Sequence, residues 1–143
     1  MPRTPGRKEF LLMKHYIGTK MIQAEPAQSG NGEMGYKVRY ADGYESWSPM
    51  KAFEEAYRPT SSMNFGLAIE AIKMGKRVRR CGWNGKGIFI ELQTPDAHSK
   101  MTHPYIYIDT TGLQTNNPEA LKDRVPWLAS QTDMLSDDWE IVE

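Results

Sequence analysis

Cysteine is nearly absent, with Cys81 the single example in 143 residues. A disulfide within the chain and a cysteine metal cage are thereby excluded, and a reducing cytosol is the natural setting. Charge of one sign is not in excess either. Lys plus Arg and Asp plus Glu stand at 18 each, which argues against DNA or RNA as a partner, because long nucleic acids call for a basic surplus. A compact anion needs only a local cluster of cations and remains allowed. No apolar run approaches the roughly 20 residues of a membrane span. Phe10-Leu11-Leu12-Met13 is too short for the core of a signal peptide. The three histidines are His15, His98 and His103, with Asp96 the one further donor near the last two, so no metal site is expected. Cys81 has no evident histidine partner, and nothing pairs Glu91 with Asp109 as acid and base, so no catalytic residue is assigned and no cofactor is expected.

What is there reads as α+β, in two small units. Residues 1–12 are a basic, proline-containing extension with no functional weight. From residue 13 to 59 the pattern is β-rich. "HYIGTKMIQAEP" alternates until a proline, and "QSGNGEMG" is a turn-rich loop. "YKVRYADGYESW" holds two short strands around Asp42-Gly43, a hairpin signal. Tyr44 and Trp47 fall on opposite faces of a strand and read as small-core packing. Ser48-Pro49 then opens a short helix, "MKAFEEAY". Residues 60–62 belong to a linker, "RPTSS", that contains no apolar residue.

The second unit, 63–143, is expected to be a small antiparallel sheet of about four strands with one main helix. Asn64 is a helix N-cap, Phe65, Ala68, Ile69 and Ile72 recur at helical spacing, and Gly75 fits the stop position. "KRVRR", "GIFIEL", "PYIYIDT" and "WEIVE" read as strands, with Tyr105 and Tyr107 on one face and Ile106 and Ile108 on the other. Cores this small commonly gain burial by association.

Two stretches carry candidate chemistry. "RRCGWNGKG" offers Gly82, Gly85 and Gly87 for close backbone approach, Arg79, Arg80 and Lys86 for phosphate charge, and Trp83 as a stacking platform. Spacing alone favours a strand–turn–strand, with Asn84-Gly85 as the turn and Trp83 packed on the core. The spacing of a Walker loop is absent. In "VPWLASQTDMLSDDW", Ser130-Gln131-Thr132-Asp133 has the form of a capping box, which predicts a helical turn whose free N–H groups suit phosphate or ribose oxygens. Trp127 lies just ahead as a second aromatic platform, or as an ordinary buried Trp beside a capped turn. Two stacking surfaces with donors between them are what a nucleotide pocket needs.

From Met63 to Glu143 the chain resembles a family of small bacteriophage proteins, the Thoeris anti-defence sponges of the second type. The marks are the M-N-F-G helix opening, G-W-N-G-K-G, P-Y-I-Y, and P-W-L-A-S-Q-T-D-M-L followed by D-W-E-I-V. The resemblance implies a non-enzymatic protein that sequesters cyclic nucleotide signals of bacterial immunity in the cytoplasm of the infected host. The signal is chiefly a glycocyclic ADP-ribose, and in some members also cyclic dinucleotides of CBASS systems at a separate site. It further implies a homotetramer with pockets between subunits. Motif by motif, it carries Trp83, Asn84 and Gly85 into one binding element and Trp127, Ser130, Gln131, Thr132 and Asp133 into another. In the roles that side-chain chemistry gives them, the Trp rings stack on or wall a base, and Asn84 and Asp133 take ribose or base hydrogen bonds. Arg79, Arg80 and Lys86 meet phosphate. Residues 13–59 stand outside the resemblance and look like a module recurring in other small phage proteins.

Overall fold

The computed structural model describes residues 13–143; the extension expected at 1–12 lies outside them. Two antiparallel sheets hold the chain's strands, as the α+β reading requires. The first sheet is β1 (Gln23–Gln28), β2 (Met34–Arg39) and β3 (Glu45–Pro49), in that order, followed by α1 (Met50–Ala56). The strand read from His15 onward begins only at β1, and residues 13–22 have no regular structure. Pro26 lies inside β1 rather than ending it, because an edge strand leaves one row of N–H groups unpaired and a proline fits there. The turn at Asp42-Gly43 forms as expected, with Gly43 at φ 88°.

The second sheet has five strands where the sequence suggests about four. β4 (Arg77–Arg80), β5 (Phe89–Gln93), β6 (Tyr105–Asp109), β7 (Arg124–Pro126) and β8 (Trp139–Val142) lie in the order β7-β6-β5-β4-β8. The added strand, β7, is three residues long and pairs with β6 through Tyr107–Pro126, Ile108–Val125 and Asp109–Arg124. Its brevity and its proline hide it from a pattern search. Helix α2 (Phe65–Lys73) covers one face of the sheet, capped by the Asn64 side chain accepting from the Leu67 amide at 2.9 Å. The short α3 (Gln131–Leu135) precedes β8.

Between α2 and the sheet sits a core of Met63, Ala68, Ala71, Ile72, Val78, Ile90 and Trp139. Ile106 and Ile108 pack against it from β6. Tyr105 and Tyr107 face the other way, into a cleft of about 650 Å³ on the uncovered side of the sheet. The segment expected as a linker lies along β8: Ile141 N–H donates to the Thr60 carbonyl at 2.9 Å, and Met63 and Trp139 exchange backbone bonds at 2.7 and 3.1 Å. Among the described residues no helix is long and apolar enough to cross a membrane.

Candidate functional site

Pairing of β4 with β8 sets Arg80 opposite Trp139. This register brings the β4–β5 loop, residues 81–88, beside the segment that runs from Trp127 through α3. Trp83 reaches back from the loop to the core. Its ring centroid lies 6.3 Å from that of Trp127 and 5.4 Å from that of Trp139, both edge-to-face. Trp127 and Trp139 are 6.0 Å apart, and Phe65 on α2 closes the group at 6.2 Å from Trp127 and 5.3 Å from Trp139. Edge-to-face rings at these separations attract beyond simple burial. Trp139 is fully buried, while Trp83 and Trp127 are half-buried. Trp83 is therefore packed on the core, as one of its two readings expects, and keeps part of its ring exposed.

The loop is not the tight hairpin turn proposed for Asn84-Gly85. β4 and β5 share only the Val78–Ile90 pair, and neither Asn84 nor Gly85 has the positive φ that a two-residue hairpin turn of the Asn-Gly type needs. The left-handed residue is Gly87 at φ 86°, where a Cβ would collide with the Gly112 carbonyl. The Gln114 amide donates to the Lys86 carbonyl at 2.9 Å, so the loop is fastened to the 110–114 turn.

Ser130 and Asp133 form the expected capping box: the Ser130 hydroxyl accepts from the Asp133 amide at 3.0 Å, and the Asp133 carboxylate accepts from the Ser130 amide at 3.1 Å. Asp133 then does more than cap. Its Oδ1 accepts from Arg80 at 3.0 Å and from the Trp83 indole N–H at 3.3 Å, and its backbone carbonyl accepts from the Trp139 indole at 2.9 Å. Arg80 also donates to Asp138 at 2.9 Å, and Asp138 takes the Gly82 amide at 2.8 Å. Burial pushes the Asp133 carboxyl up, but the Ser130 amide, Arg80, the Ser130 side chain and the Trp83 indole outweigh it and hold it below its ordinary value. Arg80, foremost, holds Asp138 low as well, against the smaller upward push of burial. Groups held ionised in this way are poor general acids near neutrality.

The sequence-predicted residues divide on this frame. Trp83, Trp127, Ser130, Asp133 and Arg80 come together. Arg79 does not: it alternates to the opposite face of β4, where it pairs with Glu140 at 2.7 Å. Arg80 sits between two carboxylates with 15% of its side chain exposed, so its charge is already matched inside the protein. Of the three cations assigned to phosphate, only Lys86 lies outside any ion pair among the described residues, donating to the Cys81 carbonyl at 3.2 Å. Asn84, Gln131 and Thr132 are exposed and chemically available, and Gly85 is half-buried in the loop. The clefts at the uncovered sheet face and beside α1 do not include Trp83 or Trp127 in their lining.

Sequence reasoning missed Phe65, Trp139 and Asp138 as members of the site. The signal for the last two was the pairing of an acidic residue with a Trp at the mouth of the final strand, visible in "SDDWEIV" but indistinguishable there from any strand start. A second polar cluster was also missed. On the uncovered sheet face the Tyr107 hydroxyl donates to Glu91 at 2.6 Å, and Arg124 pairs with the buried Asp109 at 2.9 Å. Burial and the Glu91 contact push the Tyr107 phenol up to about 12. Among the described residues no group of three or more His, Cys, Asp or Glu is placed to hold a metal ion. The Asp96 carboxylate beside His98 is occupied by the His98 amide and the Ser99 hydroxyl.

Residues 63–142 match the family of the Thoeris anti-defense 2-like domain. The chain is also similar to Thoeris anti-defense 2 of Bacillus phage SP01, at 34% identity over 95 residues, covering 57% of this chain and 97% of that protein.

Proposed function

The chain belongs to the Thoeris anti-defense 2-like family, and from that premise we propose that it is a phage anti-defence protein that captures bacterial immune signalling nucleotides without cleaving them. The observation that carries this reading is the Trp83–Trp127 pair, half-buried and edge-to-face at 6.3 Å, with Trp83 on a loop clasped to the capped helical turn that follows Trp127, all within the matched region. Half-buried rings on a fixed frame suit stacking against a purine, worth about 1–3 kcal/mol per base. Glycocyclic ADP-ribose is the expected ligand, with cyclic dinucleotides as the second class at a separate site. Asn84, Gln131 and Thr132 supply hydrogen bonds to ribose or base, the loop backbone at Gly85 supplies close approach, and Lys86 meets phosphate.

One copy presents Asn84, Lys86, Gln131 and Thr132 exposed at its surface. Leu128 and Leu135, next to the site in sequence, are 91% and 79% exposed. A pocket closed by further copies would bury both leucines together with the ligand, which supports association of copies; a homotetramer with ligands between subunits is the assembly expected. Residues 63–143 then form the binding domain, and 13–59 an added module outside the matched region. The protein would act in the cytoplasm of the infected host, where the signal is made.

Capture without cleavage works by mass action. Free signal falls only when sites outnumber it and the Kd lies below the effector's threshold; a nanomolar threshold needs about −12 kcal/mol. Calorimetry with glycocyclic ADP-ribose, followed by heat denaturation and analysis of the released ligand, tests the reading. Tight binding and intact ligand are expected. Release of a cleaved product would replace it with a phosphodiesterase-type activity, and no binding to any cyclic nucleotide would replace it with an adaptor role.

A further inference from the structure

Trp83 is a half-buried member of the aromatic group. It is carried on the 81–88 loop, between strands that share a single residue pair. A ring so placed needs something to fix its angle. Three observations identify what does so. The Trp83 indole N–H donates to Asp133 Oδ1 at 3.3 Å. The same oxygen takes Arg80 at 3.0 Å, while Oδ2 takes the Ser130 amide at 3.1 Å. Asp138 then holds both Arg80 and the amide of Gly82, which immediately precedes Trp83. Both Asp133 oxygens are thus committed to internal donors, with 14% of the side chain exposed.

We infer that Asp133 is a positioning residue, acting on the ligand through Trp83 rather than by touching it. Arg80 and Asp138 are the rest of that clasp. The inference rests on the nucleotide-binding reading above and replaces two roles expected from the sequence: Asp133 does not serve ribose or base, and Arg80 does not serve phosphate. A consequence is that the Trp83 N–H is spent, so the ring offers the ligand its face and no hydrogen bond. A stacking partner of that kind tolerates any purine, and discrimination falls to the exposed Asn84, Gln131 and Thr132.

The test has two arms. In the first, glycocyclic ADP-ribose affinity is measured for Asp133→Asn, Trp83→Phe and the double variant. Asn supplies one carbonyl oxygen where three donors now share two, and Phe keeps a ring without the N–H. Asp133→Asn is expected to weaken binding about tenfold in the native background but less than about twofold in the Trp83→Phe background, the non-additivity of residues acting as one unit. Equal losses in both backgrounds would overturn the inference, because a general loss of fold strikes both alike. In the second arm, ligand-free and needing no variant, indole N–H exchange is followed by NMR. Trp83 is expected to exchange slowly, like Trp139, which bonds the Asp133 carbonyl at 2.9 Å. Exchange of Trp83 at the rate of a free indole would overturn it as well. Should the native protein bind no nucleotide, the functional reading fails alone, and the exchange rates still decide whether Asp133 fixes the ring.

Discussion

The two sheets are built from similar material and differ in depth. Among the described residues the three-stranded sheet buries one hydrophobic side chain completely, Val38; the five-stranded sheet and α2 share a buried core of seven. The first compensates with aromatic surface contacts. Tyr36, Phe53 and Tyr57 stack at 4.1 and 4.9 Å, and the Trp47 indole donates to the Ala27 carbonyl at 2.9 Å. The second uses its aromatics twice, as core through Trp139 and Phe65 and as surface through Trp83 and Trp127. A platform continuous with a core inherits its rigidity, whereas a ladder of rings on a thin sheet has only the ladder to hold it.

Truncation of the central residue of each sheet gives the largest expected contrast. Trp139→Ala should cost about 3–5 kcal/mol and remove nucleotide binding with the fold, and Val38→Ala about 2 kcal/mol with binding retained. Urea unfolding read by near-UV circular dichroism, with calorimetry on each variant, checks both. A closer comparison uses one glycine from each unit, Gly35 in β2 and Gly87 in the β4–β5 loop. Gly35→Ala drives a Cβ into the Ser48 carbonyl and the Trp47 ring; Gly87→Ala meets the Gly112 carbonyl and adds backbone strain at φ 86°. Each should lose about 1–3 kcal/mol of stability, but only Gly87→Ala should weaken ligand binding, because only that loop carries Trp83.

Trp83→Ala should lower affinity by about 1–3 kcal/mol with the assembly still folded, whereas Tyr36→Ala in the other sheet should leave affinity unchanged. Unchanged affinity in Trp83→Ala would end the platform assignment. The smallest effect is that of acid. Asp133, Asp138 and Asp109, all in the larger unit, have carboxyls held below the ordinary 3.8. Their contribution is fully present above that value and is lost as pH falls through the lowered folded values. The urea midpoint should therefore hold from pH 7 to about 5 and drop below about 4, and Asp138→Asn should flatten the drop.

Much of this was legible in the sequence because local chemistry dictates it. Asn64 caps α2 and Ser130-Asp133 caps α3, since free helix amides call for a side-chain oxygen. Ile106 and Ile108 alternate inward because a strand has a period of two. The fate of the cations was not legible. Arg79 and Arg80 are neighbours in sequence, yet the strand sends them to opposite faces, and their partners Glu140, Asp133 and Asp138 lie far along the chain. Only the β4–β8 register, a long-range fact, turns two phosphate candidates into internal ion pairs. For the same reason Trp139, which reads as the first residue of a terminal strand, proved to be the ring on which the other aromatics rest.

The pairing of residues 60–63 with β8 bears on crowding. A titrant acts in proportion to its abundance, and abundance exposes any open sheet margin to end-on growth. In the five-stranded sheet one margin is sheathed by the chain's own backbone, and the other is a three-residue strand ending in Pro126, which has no N–H to offer. With one margin covered and the other only three residues long, little edge is left for polymerisation, which suits the abundance that the proposed titrant role requires.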